Sequence, residues 1–133
     1  MKIIIPMAGQ STRFKKAGYM GHKALLKVGE NTMIHQVVNM FSEDDDFFFI
    51  INESHIDENK NIVDYLKKIV PKSNVKIIKQ NEKGPVFSIL EIDGIHEDEE
   101  IIVSYCDFSV KWNYEQFKRS IYGSDGAIVS FKG

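Results

Sequence analysis

The sequence predicts an α/β fold in which a mostly parallel sheet lies between two layers of helices, a three-layer Rossmann-like arrangement. Short apolar runs rich in β-branched residues alternate along the chain with segments of helical periodicity. Strands and helices that alternate at this spacing form parallel sheets, which bind ligands outside the carboxyl ends of their strands. A length of 133 residues fits one domain. We therefore expect a single domain over residues 1–133, with its site at one edge of the sheet.

The first half of the chain contains two predicted strands with a helix between them. Lys2–Met7 is a continuous apolar run, typical of a strand that is buried on both faces. After a long loop, Thr32–Phe41 has its apolar residues on one helical face, and Asn31 or Thr32 is available as the N-cap. Phe47–Asn52 is the second predicted strand. This order predicts a parallel pair of strands joined by a helical crossover.

A helix and a third strand follow. The helix is predicted to begin near Ser54, with Asp57 three residues later in a near capping box, and to end before Pro71. Val75–Lys79 is again a short apolar run and predicts the third strand. The sheet is therefore extended by another parallel strand.

The last third of the chain predicts two more strands and two more helices. Pro85–Glu91 is a short helix, Ile101–Tyr105 is the fourth strand, and Asn113–Tyr122 is a helix that Gly123 ends. Ala127–Phe131 is predicted as a fifth strand. The printed sequence stops two residues later, so that the predicted domain looks truncated.

The composition of the chain limits which cellular compartment and which partners are expected for it. A net charge of −2 gives no reason to expect a nucleic-acid partner. The single cysteine, Cys106, can form no internal disulfide, and a reducing cytoplasm is the default for such a chain. The apolar start is too short for a signal peptide, and no run approaches the roughly 20 apolar residues of a membrane span. We expect a cytoplasmic domain without a membrane partner.

Basic residues are concentrated around the loop that follows the first strand. Residues 1–29 hold six basic and no acidic residues, whereas the remainder holds 11 basic and 19 acidic residues, a charge of +6 against −8. In this loop Gly9 would let a polyphosphate approach the backbone closely. The guanidinium group of Arg13 could donate two hydrogen bonds to a phosphate, and Lys23 would add a single positive charge. Neither GxxxxGK[ST] nor GxGxxG is present, so this is a different kind of phosphate loop. A basic surface loop without a ligand is the alternative.

Several segments resemble one enzyme family. Ala8–Phe14 (AGQSTRF), followed by residues 23–26 (KALL), resembles the AGxGTRF…PKxL signature of sugar-phosphate and related nucleotidyltransferases. The resemblance continues at residues 80–85 (QNEKGP) and 105–107 (YCD). It covers most of the chain but only about half a catalytic domain of that family. It implies the GT-A-like fold of the nucleotide-diphospho-sugar transferases.

The resemblance also implies roles for individual residues. Arg13 and Lys23 would be catalytic, Arg13 by gripping the triphosphate and Lys23 by neutralising charge at the α-phosphate. The implied nucleotide-binding residues lie in the first loop and in the turn after the third strand: Ala8, Gly9, Gln10, Ser11, Thr12, Gln80 and Gly84. Asp107 would bind Mg²⁺, a hard cation that favours one or two carboxylates together with substrate phosphates.

Three positions depart from the family pattern. Ser11 replaces the second glycine, His22 replaces the proline before the family lysine, and Cys106 stands where glycine or asparagine is frequent. His22 remains a candidate phosphate contact, although a loop histidine is more often an incidental polar residue. Thiolates suit softer metals than Mg²⁺, so we interpret Cys106 as a small buried residue. Structural or surface roles are expected for the histidines that lack the spacing of a metal site: His35, His55 and His96.

The implied reaction transfers a nucleoside monophosphate from a nucleoside triphosphate to a phosphorylated small-molecule acceptor and releases pyrophosphate. A phosphate nucleophile needs no general base, which agrees with the lack of a His/Asp or paired-carboxylate constellation. The segment YCDFSVKWNYEQF is most similar to capsule-associated cytidylyltransferases such as phosphoglutamine cytidylyltransferase. This similarity favours CTP and a role in capsule or surface polysaccharide biosynthesis.

Two alternatives remain open. One is a non-catalytic or incomplete nucleotide-binding domain, whose unpaired last strand would invite pairing with a second copy in a homodimer. The other is a metal-dependent glycosyltransferase of related fold. Such enzymes usually carry two acids spaced as DxD, whereas this chain has Asp107-Phe108-Ser109.

Overall fold

A computed structural model describes residues 1–79 and 83–132 of the chain. Its main sheet has four parallel strands in the order β5-β4-β1-β6, which span Lys2–Pro6 (β1), Asp46–Asn52 (β4), Asn74–Ile78 (β5) and Ile101–Val103 (β6). A small antiparallel hairpin joins Lys27–Val28 (β2) to Asn31–Thr32 (β3). The α-helices within the described residues are Thr12–Lys16 (α1), Met33–Val38 (α2), Glu53–Glu58 (α3), Ile62–Ile69 (α4), Pro85–Leu90 (α5) and Tyr114–Ser120 (α6), and a short 3₁₀ helix spans Lys23–Leu25. This arrangement confirms the predicted α/β class.

The central strand β1 explains why the domain has three layers. All three of its isoleucines, Ile3, Ile4 and Ile5, are completely buried. Because successive side chains of a strand point to opposite faces, Ile3 and Ile5 enter one apolar cluster and Ile4 enters another. The first cluster includes buried residues of α2 and α4, and the second includes Ile89 of α5. Helices therefore cover both faces of the sheet.

The helix predicted from Ser54 onward is in fact two helices, α3 and α4. The cap of α3 is Asn52: its Oδ1 accepts a hydrogen bond from the backbone N–H of Ser54 at 3.0 Å. The ring of His55 completes this capping box, so the predicted box of Ser54 with Asp57 is wrong. The break lies at residues 59–61, where the segment Asn-Lys-Asn has no apolar side chain to pack against the sheet. The cap predicted for α2 is confirmed, since Thr32 Oγ1 accepts from the N–H of His35.

The predicted fifth strand, Ala127–Phe131, is wrong. Its residues form no strand, and Ile128 is 95% exposed. A strand needs a neighbour for its backbone hydrogen bonds, and within the described residues no partner strand pairs with this segment. The ring of Phe131 in this segment stacks on Phe108, with centroids 6.3 Å apart. The segment is apolar in sequence, but the structure gives it nothing to pair with.

The helices of the described ranges, 1–79 and 83–132, are all short or partly polar. None of them is long and apolar enough to cross a membrane.

Candidate functional site

A pocket of about 240 Å³ lies at the carboxyl ends of the parallel strands, where the predicted topology places a ligand. Residues at the carboxyl ends of β1, β4 and β5, and residues after β6, contribute to its wall, together with the start of α5. Five of the site residues predicted from the sequence are among the lining residues: Ala8, Gly9, Lys23, Gly84 and Asp107. The fold thus brings together positions from the first loop, the turn before α5 and the end of β6.

Four other predicted site residues, Gln10 to Arg13, lie outside the wall of this pocket. Ser11, Thr12 and Arg13 lie at the start of α1, and Arg13 is exposed there. The amide nitrogen of Gln10 contacts Ser54 Oγ at 3.5 Å, which directs it towards the start of α3. Gln80 lies outside the described residues. The roles of these residues remain predictions.

Lys23 and Asp107, which both line the pocket, form an ion pair. Lys23 Nζ donates to Asp107 Oδ2 at 2.8 Å, although the two residues are 84 positions apart. Burial alone would lower the pKa of Lys23, but the hydrogen bond to Asp107 and nearby negative charge raise it overall. Lys23 is therefore a cation at neutral pH. Both side chains keep substantial solvent contact, so that a ligand can reach either of them.

The six basic residues of the first 29 positions do not all serve this pocket. Lys2 lies at the opposite end of β1, where it pairs with Glu99 at 2.6 Å. Lys15 pairs with Glu58 of α3 at 3.1 Å. Among the basic residues of this stretch, only Lys23 lines the pocket. The charge asymmetry of the sequence therefore overstates the positive charge at the site itself.

The two predicted glycines of the pocket act in different ways. A Cβ added to Gly9 would meet no atom within 4 Å, so glycine leaves open space beside the backbone for a ligand. Gly84 instead has φ of 84° and directly precedes Pro85, the first residue of α5. A side chain at Gly84 would be strained in this conformation. Gly9 thus gives access, and Gly84 permits the turn.

Ser11 stands where the family pattern has glycine, and its backbone shows the consequence. Its φ is 52°, and it is the one residue other than glycine with a left-handed conformation in residues 1–79 and 83–132. Its Oγ is buried without a hydrogen-bond partner in this structure. A residue with a side chain pays a conformational cost in this region, which glycine avoids.

Replacing Ser11 by glycine is therefore expected to raise the free energy of unfolding by about 1 kcal/mol, since relief of the left-handed strain exceeds the added entropy of the unfolded chain. Urea denaturation followed by circular dichroism measures this change. The matched control is Ser120→Gly in α6, where the backbone is helical and glycine is expected to destabilise. Equal destabilisation by both substitutions would show that no strain is relieved at Ser11.

Two buried histidines lie behind the loop, and the sequence did not predict their contact. The rings of His22 and His55 meet edge to face with centroids 4.5 Å apart, and both are almost fully buried. Burial lowers the pKa of His22. Burial, and secondly the proximity of His22, lower the pKa of His55 to about 4. His22 is thus a structural residue, whereas its sequence context indicated an incidental polar one; the structural alternative predicted for His55 agrees with its burial.

Cys106 is buried in the core, in agreement with the interpretation of the sequence. Burial raises the pKa of its thiol to about 11, so the sulfur is protonated at neutral pH and poorly suited to bind a metal. No group of three or more His, Cys, Asp or Glu side chains within the described ranges is arranged to hold a metal ion. Asp107 is therefore the acidic side chain that this pocket offers to a cation.

Comparison with solved structures supports the fold. A nucleoside-diphosphate-sugar pyrophosphorylase from Vibrio cholerae RC9 matches with a TM-score of 0.64 and 23% identity, over 79% of this chain and 47% of that chain. A UDP-glucose pyrophosphorylase complexed with UDP-glucose matches with a TM-score of 0.54 and 20% identity, over 79% and 44%. The chain thus spans about half the length of these proteins. A search of curated proteins finds no match.

The family is shown by a match that covers nearly the whole chain. The model of the MobA-like NTP transferase domain matches residues 3–129, from the start of β1 to the segment after α6. This range includes the loop, Lys23 and Asp107, whose positions at the pocket are described above. The nucleotidyltransferase family predicted from the sequence is confirmed. The chain belongs to the MobA-like NTP transferase domain family.

Proposed function

We propose that this domain binds a nucleoside triphosphate and supports transfer of its nucleoside monophosphate to a phosphorylated acceptor. The observation that carries the proposal is the contact of Lys23 with Asp107 in the pocket beside the open backbone of Gly9. A cation and a carboxylate side by side match a ligand that brings both a polyphosphate and a divalent cation. Membership of the NTP transferase family supports the same reaction class.

In this reaction an oxygen of the acceptor phosphate forms a bond to the α-phosphorus while the bond from that phosphorus to pyrophosphate breaks. The nucleophile is already anionic, so no side chain needs to remove a proton. Lys23 would place its positive charge beside the α-phosphate, where negative charge increases in the transition state. The wall around Gly9 would align the phosphates for in-line displacement.

Mg²⁺ fits the side chains of this pocket. Asp107 would hold it through one carboxylate, and the substrate phosphates and water would supply the remaining oxygen ligands, as Mg²⁺ prefers. The bound cation would neutralise charge on the triphosphate. Because Lys23 now satisfies Asp107, arrival of the cation would free Lys23 for the phosphate.

Ala8 and Gly84 lie on the pocket wall and would face the base, with Gln80 as a further base contact implied by the family resemblance. CTP is the nucleotide that we favour, with a phosphorylated acceptor from capsule or surface polysaccharide synthesis. These finer proposals are supported by the likeness of residues 105–117 to capsule-associated cytidylyltransferases.

A thermal-shift panel tests nucleotide binding and the choice of base. CTP, UTP, GTP, ATP and dTTP are added with and without Mg²⁺, and CTP with Mg²⁺ is expected to raise Tm most. Ligand at 100 times its Kd stabilises the folded state by about 2.7 kcal/mol, which corresponds to a shift of several degrees. Asp107→Asn should remove the effect of Mg²⁺, whereas Asp98→Asn, at an exposed position before β6, should keep it. No shift with any nucleotide would contradict binding, and a larger shift with GTP would contradict the preference for CTP.

A second candidate is a nucleotide-binding domain that does not complete the reaction alone. The observation in its favour is that the chain spans about half the length of the pyrophosphorylases that share its fold. A homodimer could complete such a site, since Val103 on β6 is half-exposed at an edge of the sheet. Nucleotide binding without pyrophosphate release in the presence of acceptors would favour this candidate.

A further inference from the structure

We propose that His22 and His55 form a positioning pair, which holds the phosphate loop in its binding geometry while both rings are neutral and releases it in acid. The proposal rests on the proposed nucleotide site for its effect on binding. The part of the proposal that concerns the protonation state of the two rings depends on contacts within the protein alone.

The contacts of His22 fix its protonation state. Its Nδ1 accepts the backbone N–H of Ala24 at 3.0 Å, so Nδ1 carries no proton. Its Nε2 lies 2.8 Å from the carbonyl oxygen of Met7, which can only accept, so Nε2 must donate. The ring is therefore neutral, and it connects the residue after β1 to the turn that carries Lys23.

His55 has a matching arrangement at the start of α3. Its Nδ1 accepts the backbone N–H of Asn52 at 3.2 Å, which makes His55 part of the helix cap. The backbone of Gly9 lies close enough to the ring to favour its protonated form. His55 therefore links the end of β4 to the loop at Gly9, on the other side of the contact with His22.

The charged groups around the two rings do not cancel the effect of burial on their pKa values. Lys23 disfavours a positive charge on His22, and Lys15 disfavours one on His55. Glu58 of α3 acts in the opposite direction on both rings, and Asp107 does so on His22. Burial is the largest influence on each ring, and His22 also disfavours a charge on His55, with which it is in contact.

Acid would disrupt this arrangement at the Nδ1 atom of each ring. A proton added to Nδ1 of either ring would face the backbone N–H that now donates to it, so the hydrogen bond is lost. Folding lowers the pKa of both rings. Below the ordinary histidine pKa of about 6.5, the unfolded chain therefore binds more protons than the folded chain. The stabilisation is complete above that pH and is lost as pH falls towards about 4, the folded pKa of His55. Affinity for a triphosphate depends on the rings of the folded protein, so it should decline only as pH approaches about 4.

Proton-detected nitrogen NMR of the histidine rings tests the protonation states directly. At pH 7.5 both rings are expected as the Nε2–H tautomer, and both are expected to titrate below the ordinary histidine pKa of about 6.5. An Nδ1–H tautomer, or titration at the ordinary histidine pKa, would overturn the proposal. The measurement uses the wild-type chain without nucleotide, so it stands whether or not the chain binds CTP.

Calorimetric titration of CTP with Mg²⁺ tests the positioning role. His22→Phe keeps the ring volume but loses both hydrogen bonds, and about a tenfold loss of affinity at pH 7.5 is expected. His22→Asn keeps an acceptor for the Ala24 N–H and should lose less. The double variant His22→Asn/His55→Asn cannot titrate, so its affinity should fall less than that of the wild type between pH 5.5 and 4, where His55 of the folded protein becomes protonated. His96→Asn is the control that should behave as wild type.

Unchanged affinity and an unchanged pH profile in the Phe and Asn variants would overturn the positioning role. If no variant and no wild-type sample binds any nucleotide, the proposed function fails on its own. In that case the positioning role is tested by the NMR chemical shifts of the backbone amides of residues 8–13. His22→Phe should change these chemical shifts, and His22→Asn should change them less. Should the Phe variant not fold, the Asn variants and the wild-type tautomers still decide the question.

Discussion

Replacing Lys23 by alanine is expected to reduce nucleotidyl transfer by about 10²–10³-fold or more, the loss typical when one group that stabilises transition-state charge is removed. Lys23 is the basic residue of the first 29 positions that lines the pocket, and its hydrogen bond to Asp107 keeps it charged. The measurement is pyrophosphate release in the intact protein with Mg²⁺, CTP and the acceptor. Asp107→Ala is expected to have a comparable effect.

The fold should survive the loss of Lys23, because both members of its ion pair are partly exposed and such pairs contribute at most about 1 kcal/mol. Thermal unfolding of the variant separates a lost activity from a lost fold. Lys72→Ala is the matched control: Lys72 is exposed and precedes β5, at the opposite end of the sheet from the pocket. Full activity in Lys23→Ala, or an equal loss in Lys72→Ala, would contradict the assigned role.

Replacing Phe49 by alanine is expected to lower the free energy of unfolding by about 3–5 kcal/mol. Phe49 is completely buried in β4, between β1 and β5, and its ring stacks on Phe47 with centroids 6.2 Å apart. The cost combines lost apolar burial with the cavity that remains. Since a domain is stable by only about 5–15 kcal/mol, the variant should unfold at a much lower urea concentration.

Phe131→Ala is the control for this substitution, because it removes the same side chain from a site that is 76% exposed. Its expected effect is within about 0.5 kcal/mol. A loss comparable to that of Phe49→Ala would mean that residues 127–131 pack against the domain after all. The comparison therefore also tests whether this segment belongs to the folded core.

The core of the fold could be predicted because its signal is local. Ile3–Ile5 and residues 47–51 are continuous apolar runs, and a strand that is buried on both faces needs such a run. The position of the pocket followed from the rule that parallel sheets bind ligands at their carboxyl edge. Residues 127–131 have the same apolar pattern, yet a strand also needs a partner, which local pattern cannot supply.

Contacts within the site were less predictable. Lys23 and Asp107 were each identified by family resemblance, but nothing in the sequence indicates that they form an ion pair with each other. The contact of His22 with His55 arises because the loop after β1 folds back over the start of α3. The capping position of His55 is a local signal, three residues after Asn52 at the end of a strand, that could have been recognised.

The position of β1 in the sheet has a consequence for how the protein is made. Lys2 aligns with Asp46 and with Ile101, so the neighbours of β1 are translated 44 and 99 residues after it. At roughly 5–20 residues per second, the second neighbour leaves the ribosome about 5–20 s later. One edge of Ile3–Ile5 must therefore remain unpaired in the nascent chain for that time, even after β4 is available to the other edge. We therefore expect the yield of folded protein to depend on chaperones that shield this first strand during translation, more than on the stability of the finished domain.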